Sequence, residues 1–473
     1  MSPRWTLGLL ALAAALGAWV YFGEIRGDER KKEAEAAEKR VFGVEPASVT
    51  ALELTLADGK SARVVRAGTS EWKLESPVAY PADSETVERA LHALSKIQST
   101  ATISPAPADL APFGLGEAGK KVRVFTGPGD PKELVVGGVT PVGGGKYLSL
   151  GGDPSRLFAV EAGDLYGLSP TLVELRDKRL LHAAAASADE LTVRASGDLV
   201  AHVKRSDTGW QVLEPAAAPG DGEKIRRTLE ELSLARATDF ADSPGKLESY
   251  GLDKPELELS VHSPEGEEHL TLGRASDKTW LRRNEDPVLL AVNPAVVTAV
   301  PTRPFDYRAK RVLTLESDKV RALELEYPRT GETHRFELKG SDWKPVESGL
   351  EPRPLKVEDM FFAIASLDAT GVEGASADRK ALGLDPALVK LVAFDEKGAE
   401  LGVLSLGDAS GDKGIPAASS QSPEVWRVSN DLGGQVPLTP EAFKNQFLKP
   451  ASAPAAVAPT PAATPAPTPA PPP

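Results

Sequence analysis

The stretch ESYGLDKPELELSVHSPEGEEHLTLG (residues 248–273) decides the fold of this chain. It contains Tyr-Gly-Leu-Asp at 250–253, an alternating apolar and polar run, a polar turn, and a second alternating run that ends at Gly273. Alternation of this kind predicts two β-strands, each with one buried and one exposed face. A loop that carries a catalytic site can have a similar sequence, so comparison with the rest of the chain decides between a site and a scaffold.

The same order of features occurs twice more, in PFGLGEAGKKVRVFTGPGDPKELVVG (112–137) and KALGLDPALVKLVAFDEKGAELGVLSLG (380–407). Gly114, Gly251 and Gly383 occupy equivalent places, and a leucine follows each of them, whereas the flanking Tyr and Asp change. A catalytic role needs the polar side chains, while a turn needs the glycine and an apolar anchor. The pattern therefore predicts a structural turn that leads into a hairpin.

A tryptophan marks each copy upstream of this turn. Trp72, Trp210 and Trp343 lie in EWKLESP, GWQVLEP and DWKPVES, and the two intervals between them are nearly equal. These side chains either pack in the core beside the following helix, which the pattern favours, or form platforms on which sugars stack. Each interval matches the size of one ordinary domain.

Between the tryptophan and the glycine of each copy, apolar residues recur at the helical period, which predicts a helix that packs on a sheet with one face. The stripes are Val87, Leu91, Leu94 and Ile97, then Ile225, Leu229, Leu232 and Ala235, then Val357, Phe361, Ile364 and Leu367. Asp83 and Asp221 precede the first two helices and are expected to cap them. In the third copy Arg353 takes that place, and Pro354 is expected at the first helical position.

Short basic motifs close the first two copies, RDKRLL at 176–181 and RAKRVL at 308–313. They set the predicted boundaries of three domains, 46–181, 182–313 and 314–449. Each domain is expected to contain two initial strands, the helix, the Gly-Leu turn and a four-strand antiparallel run. The predicted fold class is α+β, with three tandem repeats that each combine an antiparallel sheet with one main amphipathic helix.

The N-terminal region differs in composition from the repeats. Residues 5–22 (WTLGLLALAAALGAWVYF) carry no charge and are just long enough to cross a bilayer as a helix. The segment is either a retained anchor or a cleaved signal peptide, and the aromatic residues at its end favour the anchor. We therefore expect a transmembrane helix at 1–23 and a charged, helical stalk at 24–45, with the bulk of the chain outside the cytoplasm.

The C-terminal segment 450–473 (PASAPAAVAPTPAATPAPTPAPPP) is a Pro/Ala-rich tail that contains ten prolines. This composition predicts a disordered, extended polyproline II segment rather than helix or sheet. Such a tail acts as a spacer, as a ligand for a proline-binding groove, or has no selected role.

Charge and motif content exclude several function classes. The formal net charge is -13, which argues against a nucleic-acid partner because phosphate contacts need a concentrated basic surface. The chain has no cysteine, so disulfides, thiolate nucleophiles and cysteine-ligated metals are excluded. His262 and His269 fall on facing strands of one predicted hairpin, but no third metal ligand accompanies them. The sequence therefore predicts no catalytic residue, no cofactor and no metal site.

The combination of the tryptophan segment, the amphipathic helix, Tyr-Gly-Leu-Asp, the strand pair that ends in Leu-Gly and the Arg-Asp-Lys-Arg-Leu-Leu motif resembles domain-of-unknown-function family 4340. The resemblance covers most of residues 46–449 and is weakest around Trp343. It implies a bacterial protein held by a single pass in the inner membrane, with its bulk in the periplasm. It also implies a partner among ABC-type transporter permeases or gliding-motility-type auxiliary subunits, and it carries no site residue.

Three functions fit these observations. The one favoured is a non-enzymatic, membrane-anchored binding or assembly module, accessory to an ABC-type transport or gliding-type envelope system, since repeated domains offer a long surface for partner contact. The alternative is an envelope hydrolase or glycan-binding protein that uses the tryptophans and acidic side chains. The third is a structural spacer in the cell envelope.

Overall fold

The computed structural model describes residues 39–117 and 119–449. In this part of the chain three antiparallel β-sheets of eight or nine strands make up most of the structure, and the helices are few. The fold is mostly β, because the alternating runs that dominate the sequence pair with one another and leave one long helix per sheet. The expected α+β class is correct in its antiparallel pairing and overstates the share of helix.

Nine strands build the first sheet. They are β1 Ala51–Thr55, β2 Ser61–Arg66, β3 Trp72–Ser76, β4 Tyr80–Pro81, β5 Ser99–Ile103, β6 Lys120–Phe125, β7 Lys132–Val139, β8 Lys146–Leu150 and β9 Asp153–Val160. Their order in space is β4-β3-β2-β1-β6-β7-β8-β9-β5. Leu52 pairs with Val64 on β2 and with Val124 on β6, and all three side chains are buried. One face of the sheet is therefore apolar, as the alternation predicts.

The second sheet repeats the topology of the first. Its strands are β10 Glu190–Ala195, β11 Asp198–Ser206, β12 Gly209–Glu214, β13 Ala218–Pro219, β14 Asp239–Ala241, β15 Leu257–Ser263, β16 Gly266–Ala275, β17 Lys278–Arg283 and β18 Leu289–Val292. Their spatial order, β13-β12-β11-β10-β15-β16-β17-β18-β14, is that of the first sheet shifted by nine strands. The stretch 248–273 supplies β15 and β16, which pair from Leu257–Leu272 to Ser263–Gly266. The predicted hairpin is confirmed.

The third sheet has eight strands. They are β19 Ala322–Tyr327, β20 Glu332–Lys339, β21 Asp342–Pro345, β22 Gly371–Gly374, β23 Val389–Phe394, β24 Glu400–Leu406, β25 Ile415–Ser419 and β26 Val425–Val428, in the spatial order β21-β20-β19-β23-β24-β25-β26-β22. Within the described chain it has no counterpart of β4 and β13. The partner of β26 is β25, and a 3-10 helix, Asn430–Gly434, follows β26.

Six α-helices accompany the sheets in the described residues. They are α1 Ser84–Lys96, α2 Leu172–Leu175, α3 Gly222–Leu234, α4 Ala295–Ala299, α5 Lys356–Ala365 and α6 Pro440–Ala442. The predicted caps are confirmed: the carboxylate of Asp83 accepts the N–H of Thr86 at 2.8 Å, and that of Asp221 accepts the N–H of Lys224 at 3.0 Å. Both bonds satisfy amide groups that the first helical turn cannot pair internally.

The start of α5 departs from the expectation that placed Pro354 at its first position. The helix begins at Lys356, and Leu355 before it has φ 64°, in the left-handed region. A residue in that region interrupts the right-handed path, so Pro354 lies outside the helix.

The apolar stripes of the long helices pack in the cores. Val87, Leu91, Leu94 and Ile97 are fully buried with the inner face of the first sheet, and Val357, Phe361, Ile364 and Leu367 are buried in the third core. Ile225, Leu229 and Leu232 are buried as well, whereas Ala235 is half-buried. Full burial of one such aliphatic side chain contributes roughly 1.5–3 kcal/mol.

Residues 40–44, which the sequence assigns to the stalk, lie against the first sheet. Val41, Phe42 and Val44 are buried in the first core, and Arg40 pairs with Gln98 in an isolated bridge. The expected transmembrane helix at 1–23, residues 24–38 of the stalk and the tail at 450–473 lie outside the described residues. Among the residues that are described, none of the helices is both long and apolar enough to cross a bilayer.

The chain divides into two compact units. Within the described part, one contains residues 39–204 together with Arg226–Thr302, and the other contains Arg205–Ile225 together with residues 303–449.

Candidate functional site

The Gly-Leu turns have the same backbone conformation in all three copies. Gly114, Gly251 and Gly383 have φ values of 69°, 70° and 69°. This left-handed conformation is readily adopted only by glycine. The leucines that follow, Leu115, Leu252 and Leu384, are all buried. The prediction of a structural turn with a buried anchor is confirmed.

Each turn closes against the strand that ends its hairpin. A Cβ atom at Gly273 would overlap the carbonyl oxygen of Gly251, and one at Gly251 would overlap the carbonyl oxygen of Arg274. Tyr250 uses its ring for an edge-to-face contact with Trp280, 4.9 Å between centroids. Tyr250, the aromatic member of this stretch, thus supports the turn.

The first two marker tryptophans are core residues. Trp72 is buried, and its indole N–H donates to Glu88 at 2.9 Å while the guanidinium of Arg66 lies 4.4 Å from the ring centroid. Trp210 is also buried, with Arg205 at 5.3 Å. The core-packing interpretation is confirmed for these two. Trp343 differs, since it is half-buried and lines a cavity of about 310 Å³.

A partly buried ionic cluster, which we call the first joint, follows the α2 helix and consists of Arg176, Asp177, Arg179, His182, Glu268 and Arg283. Arg176 is 2% exposed, and its guanidinium bonds the carboxylate of Asp242 at 2.5 Å. The same guanidinium lies 4.7 Å from the ring of Phe240 and 5.3 Å from that of Tyr80. The carboxylate and the two aromatic faces offset the cost of burying this charge.

His182 lies at the centre of the first joint. Its Nε2 is 3.1 Å from Asp177, and its Nδ1 is 3.1 Å from Glu268 on β16. Arg283 approaches the same Nε2 at 3.1 Å and donates to the hydroxyl of Tyr80 at 3.3 Å. Tyr80 lies on β4 and Arg283 on β17, so the cluster connects the first sheet to the second within one compact unit.

These contacts shift the pKa values in consistent directions. The pKa of His182 is raised by its hydrogen bond to Asp177 first and that to Glu268 second, against the opposing effects of burial and of the Arg283 charge. Burial acts to raise the pKa of Asp177, but hydrogen bonds from His182 and Arg179 outweigh it and hold that pKa below its usual range. Burial also acts to raise the pKa of Glu268, and the bonds from His182 and the Ala183 amide reverse the direction. The two carboxylates on either side of the imidazole therefore favour its cationic form.

This arrangement suits a structural role. A general base needs a free ring nitrogen within reach of a substrate proton, and both nitrogens of His182 are engaged. A groove of about 400 Å³ runs beside it, with Glu265, Glu267 and Glu268 in its wall. The first joint therefore fixes one sheet to the next and leaves an acidic groove at its edge.

A second joint, formed by Arg308, Glu424 and Trp426, occupies the equivalent place before the third sheet. Arg308 bonds Glu424 at 3.0 Å and lies 5.7 Å from the ring of Trp426. Each member has a buried polar atom without a hydrogen-bond partner among the described residues: Nε of Arg308, Oε2 of Glu424 and Nε1 of Trp426. In the first joint only Nε of Arg176 is in that position within the described chain. The second joint borders a cavity of about 480 Å³, at the mouth of which Ala217 is exposed.

Sequence reasoning missed one member of the basic motifs. Lys39-Arg40 precedes two apolar residues just as Lys178-Arg179 and Lys310-Arg311 do. Arg40, Arg179 and Arg311 each form an isolated bridge with the segment that leaves the helix of the following sheet, at Gln98, Arg236 and Asp368. The basic motifs that were predicted to close the first two copies therefore also begin the next sheet. The Lys-Arg pair at 39–40, which precedes the first sheet, is the sequence feature that indicates this second role.

The two histidines expected on facing strands do not meet. In the register of β15 and β16, His262 faces Glu267 and His269 faces Ser260. His262 bonds Asp189 at 2.6 Å, and His269 bonds Ser260 at 2.8 Å. Across residues 39–117 and 119–449, we find no group of three side chains that could hold a metal ion.

A family model described as Domain of unknown function (DUF4340) matches two overlapping segments of the chain, residues 72–241 and 210–385. The segments begin at Trp72 and Trp210, so the offset between them equals the spacing of the first two marker tryptophans. No curated protein and no solved structure matches the chain.

Proposed function

Because this chain belongs to the family Domain of unknown function (DUF4340), whose model matches from Trp72 to Asp385, we propose that it is a non-enzymatic, membrane-anchored binding and assembly module. It is held in a bacterial inner membrane by a single N-terminal helix, and its bulk lies in the periplasm. Its partner is an ABC-type transporter permease or a gliding-type auxiliary subunit of the cell envelope.

The proposed architecture is three tandem α+β repeats on that anchor. Support comes from the shared strand order of the first two sheets and from the two family matches, which are offset by one tryptophan interval. Domains repeated along a chain present the same kind of surface several times, which lets weak contacts add up.

One observation carries the binding role, the second joint with its neighbouring cavity. Arginine and tryptophan are the residue types that most often dominate binding energy at protein interfaces. Arg308, Glu424 and Trp426 all line a cavity of about 480 Å³, and each has a buried polar atom without a partner among the described residues. Each buried polar group without a partner costs about 1–3 kcal/mol, so a partner that supplies hydrogen bonds here gains affinity.

The test blocks this cavity without disturbing a core. Ala217 lines the cavity and is exposed, and its neighbour Ala216 is exposed without lining it. Full-length chains that carry Ala217→Trp or Ala216→Trp are crosslinked in intact cells and purified in detergent. We expect the wild type and A216W to recover the same envelope partner, and A217W to recover at least tenfold less. Equal recovery by both variants, or no envelope partner for the wild type, would contradict the proposal.

The proposed location has a direct test, because the chain has no cysteine of its own. Val142 is 86% exposed in the β7–β8 turn, so Val142→Cys provides a single reactive thiol on a folded chain. A maleimide that cannot cross the inner membrane should label this thiol in cells whose outer membrane is permeabilised. Labelling that requires lysis of the inner membrane would place the chain in the cytoplasm.

The alternative, an envelope hydrolase or glycan-binding protein, is favoured by one feature. Trp343 is half-buried in a cavity whose wall also contains Asp342 and Glu358, and sugars stack on tryptophan beside carboxylates. Release of reducing ends from cell-wall glycans by the wild type and its loss in Glu358→Gln would support this alternative. Glycan binding without turnover would restrict it to recognition.

A further inference from the structure

We propose that the Pro/Ala-rich segment 450–473 of this chain docks in the groove beside Trp343. The groove is the cavity of about 310 Å³ between β21 and the start of α5. The proposal concerns the third sheet alone and does not depend on the membrane partner.

The groove exists because one backbone donor is missing. In the first two copies a backbone hydrogen bond joins the segment before the long helix to the tryptophan. The amide of Ala82 donates to the carbonyl of Trp72 at 2.9 Å, and the amide of Gly220 donates to the carbonyl of Trp210 at 2.8 Å. Pro352 occupies the equivalent position in the third copy and has no N–H to donate. The short strand that closes over the tryptophan in the other copies is absent from the third sheet as the structure describes it, and Trp343 is left half-buried.

The wall of the groove has an apolar part and a polar part. Trp343, Pro352, Pro354, Leu355 and Val357 form the apolar part, and Ser341, Asp342, Arg353 and Glu358 form the polar part. Leu355 is 67% exposed and holds a left-handed backbone at φ 64°, although it is not glycine. Exposed apolar side chains on strained backbone cluster at binding sites, since nothing in the fold itself rewards the strain.

Two further aromatic rings lie beside the groove on α5, one buried and one exposed. The ring of Phe361 lies 5.6 Å from that of Trp343 and 5.4 Å from that of Phe362, which is 55% exposed. Aromatic grooves of this kind bind polyproline II segments, because proline rings pack on flat apolar faces and the extended helix loses little entropy on binding.

The described chain leaves the third sheet at the edge of this groove. The amide of Lys449 donates to the carbonyl of Glu351 at 2.9 Å, and Leu448 pairs with Pro352, a wall residue. Lys449 also bonds the carboxylate of Glu351 at 3.4 Å. The next residue, Pro450, begins the proline-rich segment, so the ligand is tethered directly beside its site.

The chemistry and the length of the segment fit this site. It has ten prolines and no charged side chain, so it brings no charged side chain into the groove. An extended segment spans about 3.1 Å per residue and reaches many times the width of the groove. Tethering gives an effective concentration on the order of millimolar, so a weak contact is sufficient to keep the groove occupied.

The test uses the detergent-solubilised chain with a stop codon after Lys449 and a fluorescent peptide of residues 450–473. We expect saturable binding to the tail-less chain and at least fivefold weaker apparent binding to the full-length chain, because its own tail competes. A peptide with all ten prolines replaced by serine should not bind.

The matched variants are Leu355→Asp and Leu213→Asp in the tail-less chain. Aspartate tolerates the left-handed backbone, so L355D keeps its fold while it places a carboxylate in the groove wall. Leu213 is 42% exposed on β12 and serves as the control. We expect L355D to weaken peptide binding at least tenfold and L213D to leave it unchanged.

Three outcomes would overturn the proposal. They are equal binding to the full-length and tail-less chains, equal binding to L355D and L213D, and binding of a cell-wall oligosaccharide, but not of the peptide, to the tail-less chain. The last result would assign the groove to a glycan.

Discussion

Gly273 lies against the carbonyl oxygen of Gly251, so close that a Cβ atom at position 273 has no room. Gly273→Ala should therefore force the Gly-Leu turn away from β16 and lower the free energy of unfolding by about 2–3 kcal/mol. Gly245→Ala is the control, because a Cβ there meets nothing within 4 Å. Urea unfolding followed by circular dichroism measures both. Equal stability of the two variants would show that the turn relaxes without cost.

Arg176 should be far more sensitive to substitution than an arginine on the surface. Arg176→Met leaves Asp242 without its partner and removes two aromatic contacts, which we expect to cost about 2–3 kcal/mol. The expected loss of stability is smaller than for a fully buried ion pair, because the Asp242 side chain is 36% exposed. Arg89→Met breaks an exposed pair with Glu85 and should change stability by less than about 0.5 kcal/mol. A similar loss for both variants would contradict the structural role of the first joint.

His182 should make the stability of the chain depend on pH. Its pKa is raised in the folded chain above 6.5 by Asp177 and Glu268, so its contribution is complete below pH 6.5 and is lost as the pH rises through the folded pKa. The urea midpoint of the wild type should fall more between pH 6 and 8.5 than that of His182→Gln. The difference should be under about 1 kcal/mol, since the side chain is 37% exposed and solvent screens the pair.

Glu268→Gln provides the control for this pH dependence. It removes one of the two carboxylates that face His182 and keeps the shape of the side chain, so the dependence should shrink without vanishing. The charges of Arg283 and Arg179 remain in all three chains and cancel in the comparison. Identical pH profiles for the wild type and His182→Gln would show that the imidazole is neutral in the folded chain.

Leu355→Gly should stabilise the chain. Left-handed backbone costs a residue with a Cβ atom about 1–2 kcal/mol, and glycine avoids this cost. Glycine loses roughly 0.5–1 kcal/mol more chain entropy on folding, so the free energy of unfolding should rise by about 0.5–1 kcal/mol. Leu213→Gly, in a strand, should instead destabilise by about 0.5–1 kcal/mol. Thermal unfolding of the two variants checks the opposite signs. A loss of stability in both would mean that the packing of Leu355 outweighs its strain.

The hairpins and the Gly-Leu turns could be predicted because their determinants are local. Alternation along each strand fixes which face of β15 and β16 is buried, and glycine with a following leucine fixes the turn. The apolar stripes of the helices could be predicted equally well, because a residue such as Leu91 needs only one apolar face to pack against, and the nearest sheet supplies it. The repetition of these signals in three places made the prediction stronger than any one copy allows.

What the sequence could not provide depends on distant pairs. The strand after each long helix, such as β5, pairs with the last strand of its sheet, β9, and nothing near residues 99–103 indicates that partner. The first joint escaped prediction for the same reason, because Arg176 and Asp242 are far apart along the chain. The groove beside Trp343 depends on the backbone N–H that Pro352 lacks. The effect of this missing N–H becomes apparent only when the third sheet is compared with the first two, in which a short strand covers the tryptophan.

The double role of the lead-in segments bears on how such a chain grows. Arg176 pairs with Ala82 behind it, while Arg179 pairs with Arg236 ahead of it, and Arg308 and Arg311 do the same with Gly220 and Asp368. A duplicated gene segment that runs from one Lys-Arg pair to the next therefore encodes, at each end, half of the contacts that join two consecutive sheets. Copies can be gained or lost during evolution without the invention of a new interface. Each connection is afterwards free to drift, as the different carboxylate partners of Arg176 and Arg308, Asp242 and Glu424, show.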